Sequence, residues 1–198
     1  RKLVDDGVAL KLNDLIDKYA PNYKKILDQN PQIRKQVQLD DGTIAHFTKI
    51  ELDVHRLSYA GFLIRQDWLD KVGMKMPTTL DQWHDVLKAF KEKDPNGNGQ
   101  KDEIPLGEFK NKNAINEFAT AFGIRTDFYL DRDKVMFGPI QPAYKNFLAT
   151  MAAWYKEGLI DNEFASIDRN AFDAKFTNNR IGAFSGLTND FGKYTSVM

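Results

Sequence analysis

The stretch Asp94-Pro-Asn-Gly-Asn-Gly-Gln-Lys-Asp-Glu103 carries the most specific chemical pattern of this chain, because oxygen-bearing side chains recur at alternate positions. A calcium ion takes six to eight oxygen ligands, and an EF-hand loop supplies them from its positions 1, 3, 5, 7, 9 and 12. Asp94, Asn96 and Asn98 stand at the first three of these positions, and Gly99 stands where such a loop turns sharply. The spacing predicts a loop that binds calcium.

The second half of the loop departs from the EF-hand pattern. Gln100 would offer its carbonyl oxygen at position 7 and Asp102 lies at position 9, but position 12 is Pro105. Glu103 must therefore close the ligand shell. Because the residue before a proline is pushed out of the helical region, we expect a strand rather than a second helix after the loop. An Asn- and Gly-rich turn without a metal is the alternative, since these residues favour turns on their own.

The composition is that of a globular domain with a core, and it excludes several classes of function. The chain has 198 residues, of which 42% are hydrophobic and 28% are charged. Lys plus Arg and Asp plus Glu number 28 each, so the net charge gives no indication of nucleic acid or of an anionic membrane as the partner. Cys is absent, which excludes thiol catalysis, disulfides and zinc-thiolate sites. No apolar run is long enough to cross a bilayer.

Hydrophobic periodicity predicts helices and short strands in alternation, which is typical of an α/β layered domain. The helices are predicted over Leu12–Tyr19, Pro31–Val37, Gln66–Val72, Ile115–Phe122, Tyr144–Tyr155 and Phe172–Phe176. A further helix is predicted to start after Thr79, which can cap it, with Gln82 completing a capping box. The strands are predicted over Thr43–Phe47, Tyr59–Ile64, a short segment at Ile104, Val135–Phe137 and Ile181–Phe184. The run that ends at Ile64 is continuously apolar, so we expect helices on both of its faces.

Several segments, taken together and in this order, resemble the extracellular solute-binding proteins of bacterial sugar ABC transporters, above all the large lipoprotein type. They are Leu12-Asn-Asp-Leu-Ile-Asp-Lys-Tyr-Ala-Pro-Asn22, Ile64-Arg-Gln-Asp-Trp-Leu-Asp-Lys-Val-Gly73, Pro77-Thr-Thr-Leu-Asp-Gln-Trp83, Asp94-Pro-Asn-Gly-Asn-Gly-Gln-Lys-Asp-Glu-Ile-Pro-Leu106 and Trp154-Tyr-Lys-Glu-Gly-Leu-Ile-Asp161. The resemblance implies a helix-rich, three-layer lobe of the periplasmic-binding-protein-like (type II) fold, with a short mixed sheet. It also implies that the lobe is incomplete and that the chain is a fragment of a longer two-lobe protein. Residues 1–47 would form the end of the N-terminal lobe and the crossover, and residues 48–198 most of the C-terminal lobe.

The family implies a function as the extracytoplasmic, carbohydrate-binding subunit of an ABC importer. Such a protein captures an oligosaccharide between its lobes, delivers it to the permease subunits, and reaches the membrane only through a lipid anchor, here outside this chain. In related alginate- and oligosaccharide-binding members, the corresponding loop holds a structural calcium ion away from the sugar. The resemblance thus implies the same calcium ligands that the spacing predicts: Asp94, Asn96, Asn98, Gln100, Asp102 and Glu103.

Residues for sugar binding are expected beyond the carboxyl ends of strands, where α/β domains place their ligands. Three strand ends qualify, namely those after Ile64, after the Ile104 strand and after the Ile181 strand. By resemblance, the segments after the last two strands line the cleft. The candidate ligand-binding residues are Glu108, Phe109, Asn111, Ser185, Gly186, Arg65 and Tyr59.

Two other classes of function stay open at this point. A glycosidase needs two carboxylates that face each other across a sugar, and Asp and Glu are plentiful in this chain. No nucleophile elbow, phosphate loop, metal-binding His pair or dinucleotide fingerprint is present, so we expect no catalytic residues. The remaining alternative is a calcium-stabilised interaction module without a small ligand.

Overall fold

The computed structural model describes residues 1–53, 56, 60–110 and 114–195, without the side chains of residues 188, 189 and 191. The candidate residues Tyr59 and Asn111 therefore lie outside the described part of the chain. By their internal contacts the residues divide into two compact units, Arg1–Leu57 and Ser58–Met198. Each unit is described by itself below.

The first unit is helical. Its helices are α1 (Lys2–Asp5), α2 (Asn13–Tyr19), α3 (Pro21–Gln29) and α4 (Pro31–Val37). A small core of Ile16, Leu27, Val37 and Ile44 joins the last three. The sequence predicted α2 and α4 but not α3, although Pro21 occupies the first helical position, where its missing N–H costs nothing.

The strand predicted over Thr43–Phe47 is wrong, because the structure assigns no strand to this segment. Its backbone groups bond to the start of α2 instead of to a neighbouring strand. The Ile44 carbonyl accepts a hydrogen bond from the Leu12 N–H at 2.7 Å, and the Ile44 N–H donates to the side-chain oxygen of Asn13 at 2.9 Å. Ile44 therefore enters the core without a strand ladder, while Phe47 is 59% exposed.

The second unit contains helices and strands in alternation. Its helices are α5 (Gln66–Val72), α6 (Leu80–Glu92), α7 (Ala114–Glu117), α8 (Pro142–Lys156), α9 (Arg169–Thr177) and α10 (Thr188–Thr195), with 3₁₀ helices at Phe118–Phe122 and Gly138–Ile140. Its strands are β1 (Ala60–Ile64), β2 (Ile104–Leu106), β3 (Phe128–Asp131), β4 (Lys134–Phe137) and β5 (Ile181–Leu187).

A three-stranded mixed sheet lies at the centre of this unit, with the strand order β1-β5-β2. Strand β2 runs parallel to β5, with Ile104 opposite Ile181. Strand β1 runs antiparallel to β5, so that Ala60 lies opposite Leu187 and Ile64 lies opposite Ala183. The carboxyl ends of β2 and β5 therefore share one edge of the sheet, whereas the carboxyl end of β1 lies at the opposite edge.

Helices pack on the sheet through three apolar clusters. The largest joins α6, α8 and the 3₁₀ helix Phe118–Phe122 to the strands, the second joins α9 and α10 to β5, and the third joins α5 to α6. Gly182 of β5 lets two large side chains approach, since a Cβ atom there would lie 2.5 Å from Phe90 and 2.9 Å from Trp68. The predicted helix-rich α/β class with a short mixed sheet is confirmed.

Most helix limits in this unit follow the predicted signals. The Thr79 hydroxyl accepts from the Gln82 N–H at 3.2 Å and so caps α6, although the Gln82 side chain returns to the Thr78 N–H rather than to Thr79. The elements that were not predicted are β3, the hairpin turn that joins it to β4, the 3₁₀ helix Gly138–Ile140, and α10. The run that ends at Ile64 is also less buried than expected, because β1 is an edge strand whose residues are half-buried or exposed.

Within the residues that the structure describes, no helix has the length and hydrophobicity needed to span a membrane.

Candidate functional site

The predicted calcium loop connects α6 to β2 and folds around the side chain of Asp94. One carboxylate oxygen of Asp94 accepts hydrogen bonds from the N–H groups of Gly97 at 3.0 Å and Asn98 at 3.1 Å. Its other oxygen accepts from the Gly99 N–H at 2.9 Å. Gly97 and Gly99 both have φ of 75°, a conformation that favours glycine. The loop therefore closes on its first acidic residue, as the position of Asp94 in the pattern requires.

The two asparagines of the loop connect its first half to Asp102. The Asn96 side-chain oxygen accepts from the Asn98 N–H at 3.0 Å, and the Asn98 side-chain oxygen accepts from the Gln100 N–H at 2.7 Å. Both amide nitrogens donate to Oδ1 of Asp102, from Asn96 at 3.1 Å and from Asn98 at 3.0 Å. Each side-chain oxygen accepts one of these backbone N–H groups and keeps a second lone pair, so the same pair of residues can coordinate a cation.

Glu103 is the residue at which the loop best fits a metal ion. Its Oε1 atom is buried and has no hydrogen-bond partner. Burial raises the pKa of Glu103, and the nearby carboxylates of Asp94 and Asp102 raise it further. A divalent cation would provide both the missing partner for Oε1 and the charge that offsets this repulsion.

The donor set of this loop is mixed rather than purely acidic. Within the described residues, no three His, Asp or Glu side chains are grouped so that they could hold a metal ion by themselves. A calcium site here needs the amide oxygens of Asn96 and Asn98 and the carbonyl oxygen of Gln100 in addition to the carboxylates. Oxygen donors of this kind suit calcium, whereas a zinc site uses Cys and His.

Glu108 follows β2 directly and is almost completely buried, with 3% of its surface exposed. Its two carboxylate oxygens accept from the N–H groups of Ala114 at 2.7 Å and Ile115 at 3.3 Å, so the side chain caps the start of α7. Burial raises the pKa of Glu108 to about 7, and the charge of Glu117 adds to this effect. The side chain also lines a pocket of about 540 Å³ with Asn116 and several apolar residues, which are Ile115, Leu148, Met151, Ala152, Tyr155, Ile160 and Phe164.

Ser185 and Gly186 lie at the carboxyl end of β5, at the same edge of the sheet as Glu108. The Ser185 hydroxyl donates to a carboxylate oxygen of Glu117, a residue that sequence reasoning missed. A Cβ atom at Gly186 would lie 2.7 Å from Phe184 and 3.0 Å from Asp190, so this position has no room for a side chain. The structure thus brings Glu108, Glu117 and Ser185 together, and a role of this group in sugar binding stays a prediction.

Phe109 lies beside this edge but is partly buried. Its ring centroid is 5.1 Å from that of Phe172, and the Arg169 guanidinium stacks over it at 5.1 Å from the centroid. Arg169 also forms ion pairs with Asp173 at 2.9 Å and Asp190 at 2.7 Å. Phe109 is therefore fixed by a packed, charged layer, and a sugar could reach only the part of the ring that stays exposed.

Arg65 lies at the opposite edge of the sheet, because β1 is antiparallel to β5. Its Nε donates to Asp67 at 2.8 Å, another guanidinium nitrogen bonds to Asn179, and the residue is only 8% exposed. The three strand ends with candidate residues therefore do not lie together, since β1 ends at the side of the sheet opposite the ends of β2 and β5. Arg65 fixes the start of α5, and its ligand role is a prediction that this position does not support.

A second group of contacts that sequence reasoning missed joins the loop Asp94–Glu103 to the start of β5. The Asn179 side chain donates to the Asn96 carbonyl at 3.5 Å, and the Arg180 Nε donates to the Asp102 carbonyl at 3.0 Å. Asn179 has φ of 60°, a left-handed conformation that Asn adopts more readily than most residues. The pair Asn-Arg before an apolar strand was the available sequence signal for this junction.

Comparison with known proteins shows similarity to substrate-binding proteins and lipoproteins. No family model matches it. It is 38% identical over 191 residues to the fructooligosaccharide ABC transporter substrate-binding protein FusA of Streptococcus pneumoniae, with 90% of this chain and 35% of that protein covered. Two Bacillus subtilis proteins are also similar, the lipoprotein LipO at 30% identity and the polygalacturonan/rhamnogalacturonan-binding protein YtcQ at 27%. The chain spans about a third of the length of these curated relatives, since it covers 35% of each.

Solved structures agree with this result. FusA in complex with kestose matches with a TM-score of 0.76 at 34% identity, over 94% of this chain and 40% of that one. FusA has also been solved as an EF-hand mutant, with a TM-score of 0.75. The alginate-binding protein AlgQ2 without calcium ion matches with a TM-score of 0.72 at 30% identity, over 90% of this chain and 37% of that one. The chain is thus a homologue, over nine-tenths of its residues, of the extracellular substrate-binding proteins of sugar ABC transporters.

Proposed function

We propose that this chain is part of the extracellular carbohydrate-binding subunit of an ABC importer, and that its loop Asp94–Glu103 holds a structural calcium ion. The match to FusA in complex with kestose, over 94% of the chain, is the observation that carries the transport function. The subunit would capture an oligosaccharide between two lobes, one of which includes the edge with Glu108 and Ser185, and deliver it to the permease. A lipid anchor at the cell surface agrees with the name of LipO.

Binding rather than catalysis is proposed because the relatives are substrate-binding proteins and because the carboxylates at this edge have other partners. Glu108 caps α7, and Glu117 accepts the Ser185 hydroxyl, so the two acids are engaged with the protein itself. The relatives are named for different sugars, a fructooligosaccharide and polygalacturonan. The proposal therefore extends to oligosaccharides as a class.

Calorimetry of the full-length protein against a panel of oligosaccharides tests the transport function, with product analysis of the same mixtures as a second readout. We expect saturable binding of at least one sugar and no release of shorter products. Hydrolysis of a bound sugar would establish an enzyme, and the absence of binding across neutral and acidic oligosaccharides would favour an interaction module. We expect the isolated chain of 198 residues to bind sugar far more weakly than the full-length protein, because it covers only 35% of the length of FusA.

Thermal unfolding in calcium and in a chelator tests the metal site. Extracellular calcium modules bind with Kd on the order of 10⁻⁴–10⁻³ M, so about 10 mM calcium should stabilise the fold by about 1.4–2.7 kcal/mol. For a chain of this size that is a rise in Tm of about 3–10 °C. Glu103→Gln should abolish most of the rise, whereas Glu92→Gln, at the exposed end of α6, should retain it. A Tm that is the same in calcium and chelator would show that the loop binds no calcium.

A further inference from the structure

Arg180 is the residue that connects the calcium loop to the central sheet. It directly precedes β5, and its carbonyl accepts from the N–H of Ile104, the first residue of β2, at 2.7 Å. Its side chain turns back to the loop, where Nε donates to the Asp102 carbonyl at 3.0 Å and lies 3.1 Å from Oδ2 of the Asp102 carboxylate. The backbone of Arg180 thus bonds to strand β2 of the sheet, while its guanidinium bonds to Asp102 of the loop.

Both carboxylate oxygens of Asp102 have protein partners. Oδ1 accepts from the amides of Asn96 at 3.1 Å and Asn98 at 3.0 Å, and Oδ2 faces Arg180. Asp102, Asn96 and Asn98, together with Glu103, are ligands of the proposed calcium ion. A cation that approaches Asp102 must therefore displace the two amide donors from Oδ1. It must also weaken the contact of Oδ2 with the guanidinium, which has no acceptor to offer.

We propose that Arg180 is an internal counter-ion of the calcium loop, which neutralises Asp102 when the metal is absent and lowers the affinity of the loop for the metal. The inference rests on the proposed calcium site and adds a residue that regulates it. A guanidinium remains charged at any pH that a protein tolerates, so the charge that Arg180 brings to the loop is permanent. Its effect resembles that of a second cation fixed beside the first.

The surroundings of Arg180 give its side chain a second position. Arg180 lines a pocket of about 350 Å³ together with Asp102, Asp161, Glu163 and Lys175. Lys175 already pairs with Asp161 at 2.8 Å and with Glu163 at 2.7 Å, and the side chain of Glu163 is 66% exposed. A guanidinium displaced from Asp102 can thus turn toward Glu163 without any movement of the backbone that pairs β2 with β5.

The magnitude of the effect follows from Coulomb's law. A unit charge at about 5 Å from a divalent ion, in surroundings that are close to water, changes the binding constant about tenfold. Arg180→Gln should therefore bind calcium about tenfold more tightly than the wild-type chain. The same variant should be less stable than the wild type in chelator, because Asp102 then lacks its cation.

Calcium titration by calorimetry, with Tm in chelator and in calcium as the second readout, tests this inference. Arg180→Lys keeps the charge and should keep the wild-type affinity, while Lys145→Gln removes one exposed charge from α8 and should change neither quantity. Arg180→Met, which is neutral and keeps an aliphatic stem, serves the same comparison if the glutamine variant does not fold.

The outcomes separate this inference from the proposed calcium site. Tighter calcium binding by the neutral variants, with unchanged binding by Arg180→Lys, supports the counter-ion role. Equal or weaker binding by the neutral variants, beside measurable binding by the wild type, would show that Arg180 has a structural role only, and the calcium site would stand. Absence of calcium binding in the wild type and in all variants would overturn both.

Discussion

Replacing Glu108 by Gln should flatten the pH dependence of stability of the second unit. Burial raises the pKa of this carboxyl from 4.5 to about 7, against the effect of the two N–H groups that it accepts. Since the folded pKa lies above the unfolded one, the folded state binds the proton more tightly. The stabilising contribution is therefore fully present below about pH 4.5 and is lost as the pH rises through about 7. The difference corresponds to about 3 kcal/mol of unfolding free energy.

Urea unfolding followed by tryptophan fluorescence measures this effect, because all three tryptophans, Trp68, Trp83 and Trp154, lie in the same unit as Glu108. Between about pH 5 and about pH 8, the wild type should lose up to about 3 kcal/mol that the Glu108→Gln variant retains. Titrating groups that do not interact with Glu108 contribute equally to both proteins, so the difference between the two profiles reports Glu108 together with its interaction with Glu117. Glu92→Gln is the matched control and should follow the wild type. Parallel profiles for wild type and Glu108→Gln would refute the assignment of this buried, proton-binding carboxyl.

Two further predictions concern stability and use the same unfolding assay. Gly182→Ala should cost about 1–3 kcal/mol by overpacking, because the new Cβ would lie 2.5 Å from Phe90. Gly61→Ala, in the neighbouring strand with nothing within 4 Å of the new atom, is its control, and an equal loss in both would contradict the packing argument. Asp168→Ala should cost about 1 kcal/mol, because the Asp168 side chain caps α9 by accepting from the Ala171 N–H at 2.9 Å. Asp168→Asn should recover most of that loss, and no recovery would point to a role for the charge.

Features that depend on short-range geometry could be predicted from the sequence. Gly73, Gly123 and Gly158 end or follow their helices with φ of 74°, 72° and 71°, a conformation that few other residues adopt without strain. The loop from Asp94 to Glu103 could be predicted for the same reason, since the bonds that shape it join residues at most six positions apart, as between Asn96 and Asp102. Its metal ligands stay a prediction that thermal unfolding in calcium will test.

Features that depend on long-range pairing could not be predicted in this way. An apolar run does not encode its direction in a sheet, so the position of Arg65 at the edge opposite Ser185 required the antiparallel pairing of β1 with β5. The β3–β4 hairpin escaped notice because Arg132, with φ of 55°, takes the left-handed turn position where Gly or Asn would have been recognised. The partner of Ser185, Glu117, lies 68 positions away in the chain.

The two outermost strands of the central sheet, β1 and β2, differ in their capacity to pair with a strand of another molecule. At the β2 edge, the Leu106 N–H donates to the Leu159 carbonyl and the Leu106 carbonyl accepts from the Asp161 N–H, both at 2.9 Å, while Pro105 has no N–H to offer. On the opposite side of the sheet, within the described part of the chain, strand β1 pairs only with β5. An incoming strand from another molecule could therefore extend the sheet beside Ala60–Ile64 but not beside β2, which makes that apolar edge the first place to introduce a charge if preparations of this protein aggregate.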